Sequence, residues 1–351
     1  MLLGLVADAA ARPLVIAHRG ASGERPEHTE SAYVLAIEQG ADFIEPDLVL
    51  TKDGVFVARH ENEIGETTDV ASRPEFAARR ATRTIDGRPV TGWFTEDFTL
   101  AELKTLRARE RLPRLRPGAA AFDGRDPVPT FAEVVEIARR EGERRGRVVG
   151  VYPELKHPTY FRSIGLPMEA RFAAELGALG LDAKDAPVFV QSFEPTALQR
   201  LRPLIRARLV QLIAAQGAPY DLRQAAEPTT YADLLTDAGL RRLRAFADAI
   251  GAEKTLVLPR DAEGRSAAPT DLPARARAAG LSVHLWTFRA ENLFLPTDLR
   301  RGDPASPTHL REHGDLRGEL ELAADAGVDG VFTDHPAEAT RTFAPRANAG
   351  P

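Results

Sequence analysis

Short apolar runs rich in Val, Ile and Phe alternate with helix-like stretches along nearly the whole chain, and this alternation limits the fold more than any other feature. Strand and helix in turn is the pattern of βα units, which build a parallel sheet covered by helices. The strand-like segments are 14–17, 43–51, 55–60, 148–155, 187–193, 208–213, 281–288 and 330–333. Eight such segments, closed on themselves, make an α/β fold of the TIM-type (β/α)8 barrel class, and 351 residues leave room for insertions. Helices are expected at 29–39, stopped at Gly40, and at 130–145, where Phe131, Val134, Val135 and Ala138 recur at helical spacing. The stretch 249–258 reads either as a further short strand or as an irregular loop.

Residues 62–128 read differently, being rich in Arg, Gly, Pro and Thr with one helical patch at 100–107. They are expected to form an insertion after the third strand, over one end of the barrel, because their apolar content is too thin for a separate core. A Pro- and Arg-rich excursion at 289–313 extends the loops near the C-terminal end. One domain is thus expected over 14–345, with 1–13 as the remnant of an export signal or a flexible terminus. The apolar run at 1–6 is shorter than the roughly 7–15 residues of a secretory signal core, and no run approaches the roughly 20 residues of a membrane span.

The formal net charge of −5 argues against a nucleic-acid partner, since no basic surplus is available to neutralise a phosphate backbone. A small phosphate-bearing substrate needs only local positive charge. The absence of cysteine excludes disulfides, thiolate nucleophiles and cysteine-held metals, and leaves the compartment open.

In a barrel of this kind the site lies at the carboxyl ends of the strands. There the sequence carries His18 and Arg19, Glu45 and Asp47, His60, Glu154 and Lys156, and Asp334 with His335. Glu45 and Asp47 are two apart, so both point to one face of a strand, and two adjacent buried carboxylates repel unless a cation joins them. With Glu154 they offer three hard oxygen donors, which suit Ca²⁺ or Mg²⁺; a salt bridge to a nearby Arg is the rival reading for any one of them. His18 and His60 titrate near neutrality and can exchange protons with a substrate, whereas a lone histidine is more often a satisfied core residue. Arg19 and Lys156 suit phosphate oxygens. The turn at 20–23 offers backbone amides to an anion, His28 supports the site through its neighbours, and Phe193 and Trp286 either wall a pocket or simply pack.

These residues lie in runs that resemble the glycerophosphodiester phosphodiesterase family. The runs are His18-Arg-Gly-Ala-Ser-Gly-Glu-Arg-Pro-Glu-His-Thr29, Gly40-Ala-Asp-Phe-Ile-Glu-Pro-Asp47, Leu50-Thr-Lys-Asp-Gly54 and Ala58-Arg-His60. Further matches are Tyr152-Pro-Glu-Leu-Lys156, Gln191-Ser-Phe193, Trp286-Thr-Phe288 and Gly330-Val-Phe-Thr-Asp334. The longer insertions and the segment 67–71 are similar to the periplasmic or secreted bacterial branch. The resemblance implies a TIM barrel, a divalent ion (calcium before magnesium) on Glu45, Asp47 and Glu154, His18 and His60 as general acid and base, and Arg19 and Lys156 on the phosphate. It implies hydrolysis of small-molecule glycerophosphodiesters, such as glycerophosphocholine or glycerophosphoethanolamine, to sn-glycerol 3-phosphate and an alcohol. A cyclic phosphate intermediate, formed by attack of the glycerol 2-hydroxyl, is the expected route. The chain departs from the commonest family pattern at Glu61, where many members have Asp, which puts a supporting role of that position in question.

Three rival readings remain from sequence. The same barrel could cleave intact phospholipid or wall polymer, which an apolar rim would favour. A glycoside hydrolase could use Glu45 and Glu154 but needs neither metal nor histidines. A non-catalytic glycerophosphodiester-binding barrel has no use for a full acid, base and metal set.

Overall fold

The computed structural model describes residues 12–224 and 229–344. The expected export-signal remnant at 1–13 therefore lies, except for its last two residues, outside the described residues. The strands in chain order are β1 Leu14–His18, β2 Phe43–Glu45, β3 Asp47–Leu50, β4 Phe56–Ala58, β5 Ala81–Ile85, β6 Arg88–Gly92, β7 Gly150–Val151, β8 Glu154–Leu155, β9 Phe189–Ser192, β10 Arg208–Ile213, β11 Ala249–Glu253, β12 Ser282–Phe288 and β13 Gly330–Thr333.

Pro46 breaks one barrel strand into β2 and β3, and residues 152–153 likewise break another into β7 and β8; hydrogen bonds from Tyr152 N to Ile44 O and from Glu154 N to Pro46 O carry the pairing across both breaks. With those halves joined, parallel pairs run from β1 through β2/β3, β7/β8, β9, β10, β11 and β12 to β13, which pairs back to β1 at Leu14↔Gly330. The sheet is a closed TIM-type barrel of parallel strands.

Two strand assignments differ from the sequence reading. The segment 55–60 is not the third barrel strand: β4 runs antiparallel to β3, with Val49 opposite Val57. The physical reason is the tight turn at 52–54, which can join only antiparallel neighbours, because a parallel crossover needs a dozen or more residues. The vacant place in the barrel is taken by β11, the segment left open between strand and loop. Its sequence Ala-Ile-Gly-Ala-Glu holds a single β-branched residue and runs straight into a 3-10 turn at Lys254–Leu256. The insertion consequently follows the hairpin strand β4, not a third barrel strand.

Within the insertion, β5 and β6 form a hairpin through Asp86 and Gly87, which have φ of +49° and +81° as a two-residue primed turn requires. Most of this hairpin faces solvent, so it carries few apolar residues and reads from sequence as loop. Phe76, Ile85, Phe94 and Phe98 nevertheless bury in the same contiguous core as the barrel-covering helices.

The helix Phe131–Arg144 shows how local chemistry sets an element. Thr130 and Glu133 form a reciprocal cap, and Phe131, Val134, Val135, Ile137 and Ala138 bury one face. Each large apolar side chain buried in this way contributes roughly 1.5–3 kcal/mol.

Inside the barrel, Ile16, Phe43, Tyr152 and Phe189 pack with Val210, Ala249 and Phe332. Tyr152 stacks on Phe189 at 5.0 Å between centroids, meets Phe332 edge-on at 4.9 Å, and bonds His284 Nδ1 through its hydroxyl at 2.6 Å. Two residues further along the same strands stand His18, Glu45, Glu154 and Gln191. The period of two thus places a polar layer directly above an apolar plug.

Candidate active site

Strand register assembles the polar layer. His18 lies opposite Glu45, Asp47 opposite Glu154, and Glu154 opposite Gln191. His18, Arg19, Glu45, His60, Glu154, Lys156, Phe193 and Trp286 all line one cavity of about 390 Å³. Asp47, 1% exposed, is buried among Arg19, His28 and Lys156. His60 reaches this cavity from the end of the β3–β4 hairpin and not from a barrel strand.

Each lining histidine is gripped through Nδ1 by a carboxylate. His18 Nδ1 lies 2.6 Å from Asp334 Oδ1, and Asp334 Oδ2 accepts from Arg116 Nη2 at 2.6 Å and Arg289 Nε at 2.8 Å. His60 Nδ1 contacts Glu61 Oε1, whose carboxylate accepts from Arg111 at 2.7 and 3.1 Å. With the proton held at Nδ1 in this way, Nε2 of each ring carries the lone pair. Burial, reinforced by Arg19, lowers His18 to about 4 despite Asp334; burial, with Arg19 and Lys156, lowers His60 to about 3. Both rings are neutral near pH 7.

Glu45, Asp47 and Glu154 each present an oxygen within 4.8 Å of the others'. Glu45 accepts from Arg19 N at 2.9 Å and Gln191 Nε2 at 3.1 Å, and Glu154 accepts from Lys156 Nζ at 2.9 Å. His28, fully buried, bridges Asp47 and Tyr33: its ring lies 2.8 Å from Asp47 Oδ2 on one side and 2.8 Å from the Tyr33 hydroxyl on the other. Burial and repulsion by Asp47 push Glu45 well up, and burial lifts Glu154 to about 8 in spite of Lys156. Burial also opposes the Asp47 anion, but Lys156 and Arg19, with the hydrogen bond from His28, hold it well below the usual range. Among the described residues, the three clustered carboxylates form ion pairs with no permanent cations other than Arg19 and Lys156. The deficit, and the all-oxygen donor set, fit a hard divalent cation.

Arg19 itself is at φ +60°, followed by Gly20 at +89°, where an added Cβ would lie 2.7 Å from Ala32 C. This tight turn aims the Arg19 side chain at Glu27 (2.9 Å) and Asp47 (3.1 Å). Phe193 and Trp286 meet edge-to-face at 5.6 Å, and Lys156 Nζ lies 5.8 Å from the Phe193 ring centre.

For several residues of the site the sequence alone assigns no role. Glu61 grips His60, so the departure from Asp keeps a carboxylate at that position. Asp334 was noted only as a polar strand end, and Gln191 only within a matched run. Arg111 and Arg116 come from the insertion, where nothing distinguishes them from the many other arginines; only the fold shows Arg116, 7% exposed, joining Asp334 to Glu291.

Comparison with known proteins agrees with this geometry. Residues 18–338 match the model of the glycerophosphoryl diester phosphodiesterase family. A glycerophosphodiester phosphodiesterase of Arabidopsis thaliana is 38% identical over 92% of this chain and 84% of its own length. That of Haemophilus influenzae is 28% identical over 92% and 87%, respectively. In fold, the chain is similar to an Oleispira antarctica phosphodiesterase crystallised with the product sn-glycerol-3-phosphate, with a TM-score of 0.57, 20% identity, and coverage of 94% of this chain and 96% of that one.

Proposed function

The chain belongs to the glycerophosphoryl diester phosphodiesterase family and is an enzyme of that activity, and from this premise we propose that His18 and His60 hydrolyse glycerophosphodiesters by acid–base catalysis, releasing sn-glycerol 3-phosphate and the head-group alcohol. The observation that carries the reading is the pair of imidazoles, each oriented through Nδ1 by a carboxylate, opening onto one cavity with Arg19 and Lys156.

Glu45, Asp47 and Glu154 would hold one divalent cation, calcium before magnesium, which when bound draws charge from the phosphodiester oxygens. Lys156 Nζ and Arg19 stand beside them to bind the same anion. One histidine takes the proton of the glycerol 2-hydroxyl at Nε2 as that oxygen attacks phosphorus. The bond from phosphorus to the head-group oxygen breaks, and the second histidine delivers a proton to the departing alcohol. Water then opens the cyclic glycerol phosphate with the two roles exchanged. The acid must be protonated, although burial and the neighbouring cations keep both rings neutral near pH 7. A bound phosphodiester supplies the negative charge that offsets Arg19 and Lys156 and favours the imidazolium.

The test is phosphorus NMR of a single turnover. A transient cyclic phosphate is expected, together with loss of turnover for a substrate whose 2-hydroxyl is replaced by hydrogen. Full-rate cleavage of that analogue would rule out the internal nucleophile.

A further inference from the structure

A second cavity of about 470 Å³ adjoins the first and shares Glu154, Lys156 and Phe193 with it. Its outer wall is the insertion: Glu63, Ile85, Asp86, Arg88 and Val90 face Glu194, Tyr220 and Tyr231 from the barrel loops. The catalytic machinery described above uses none of these residues.

Three carboxylates of this lobe, Glu63, Asp86 and Glu194, lack an ion pair to Lys or Arg among the described residues. Among the described residues Glu194, 4% exposed, accepts only from the Thr159 amide at 3.0 Å and the Thr159 hydroxyl at 2.5 Å. Glu63 accepts from the amides of Gly65 and Trp93. Asp86 contacts His157 Nδ1 at 2.6 Å through Oδ2, while Oδ1 is buried with no partner. Arg88 and Arg223 also line the lobe, and Arg223 donates to the Asp86 backbone carbonyl at 3.2 Å, but among the described residues none of the three carboxylates is ion-paired with a guanidinium or an ammonium, unlike Glu61, which Arg111 neutralises. Burial, with Asp221 and Asp86 near it, lifts Glu194 to about 8, the condition of a carboxylate that a bound cation would bring down.

Aromatic faces complete the lobe. Tyr231 is 7% exposed, stands edge-on to Phe193 at 6.3 Å, and has a hydroxyl without a hydrogen-bond partner among the described residues. Ring faces combined with anionic carboxylates are the surroundings that hold ammonium and quaternary ammonium groups. Beyond the catalytic residues the first cavity is lined by Lys254, Arg260 and Arg289, with Glu253 as the one carboxylate there among the described residues; Lys254 is paired with Glu319 and Arg289 with Asp334. A cationic head group finds more carboxylates without an ion pair in the second lobe than in this part of the first, whereas glycerol hydroxyls tolerate either.

We propose that the lobe between the insertion hairpin and Glu194/Tyr231 is the head-group subsite, and that it selects diesters of cationic amino alcohols over those with neutral or anionic head groups. This inference rests on the glycerophosphodiesterase reading. Its experiment compares kcat/KM for glycerophosphocholine and glycerophosphoglycerol at fixed Ca²⁺, in the full chain and in Asp86→Asn/Glu194→Gln, with calorimetric titration of choline alone as a second arm. A preference of about tenfold or more for the choline diester is expected, falling about tenfold in the double variant, which also loses choline binding. Equal turnover of both diesters by the unaltered chain overturns the inference and leaves the diesterase reading intact. If no diester is cleaved, the diesterase reading fails, and choline binding that is absent or unchanged in the double variant overturns the subsite by itself. Should the double variant melt much lower than the parent, Tyr231→Ala provides the same comparison.

Discussion

Replacing Asp334 by Asn tests the claim that the carboxylate partners, and not the imidazoles alone, make the histidines competent. The substitution keeps the shape and removes one charge at a residue only 2% exposed. Asp334 now accepts from His18 on one oxygen and from Arg116 and Arg289 on the other. An amide has one accepting oxygen, which two guanidiniums will claim. Its NH2 group then faces His18 Nδ1, which must give up its proton to Nε2, and the lone pair turns away from the substrate. The loss comprises a charge-assisted hydrogen bond of about 1.5–3 kcal/mol and the cost of displacing the proton or leaving a buried donor unpaired, about 1–3 kcal/mol. At 1.36 kcal/mol per factor of ten, turnover falls roughly 10²–10⁴-fold. Glu61→Gln is the internal control: that side chain is 36% exposed, so solvent screens the same change and a loss of roughly tenfold is expected. The assay is kcat at saturating diester and fixed Ca²⁺, with a melting curve to confirm that each variant is folded. A folded Asp334→Asn protein within threefold of the parent would refute the reasoning.

Other perturbations reach separate parts of the structure. Tyr152→Phe leaves His284 Nδ1 unpaired inside the barrel and should cost about 1–3 kcal/mol in a denaturant titration, with no change in metal response. Millimolar Ca²⁺ should raise the melting temperature of the parent, by the equivalent of about 2.7 kcal/mol at a hundred times Kd, and chelator should reverse this; Glu154→Gln should abolish most of the response. Burial lifts Glu175 to about 7, so the folded state holds this proton more tightly than the unfolded chain, and stability from this group is lost as pH rises from about 4.5 through 7. Glu175→Gln should therefore melt higher than the parent at pH 8 and match it near pH 4.5; the reverse order would contradict the assigned cause.

What the sequence reveals of this molecule follows from the range of the forces involved. The βα alternation is a local pattern, so the barrel class is legible, as are the strand-end residues His18, Glu45, Asp47 and Glu154. The place of β4 is not legible in its own residues, because Phe56–Ala58 has the composition of a buried strand while its partner is its own neighbour. The turn at 52–54 held the information, since its length forbids a parallel return. β11 is ambiguous in the sequence because Gly251 and two alanines carry little β propensity, and only pairing with β10 and β12 makes it a strand. The hairpin β5–β6 was hidden by its exposure. At the site, Arg111 and Arg116 are anonymous in an arginine-rich segment, and their selection depends on contacts spanning 50 to 218 residues of chain. Glu61 looked like a lapse from the family pattern, yet a carboxylate one methylene longer still meets the His60 ring.

The account depends most directly on the release of sn-glycerol 3-phosphate from glycerophosphocholine by the purified chain in Ca²⁺, with chelator, and with His18→Ala. Release that stops with chelator and falls by several orders of magnitude in His18→Ala is the predicted result. Release undiminished in folded His18→Ala protein, or none from the parent in Ca²⁺ or in Mg²⁺, would contradict it.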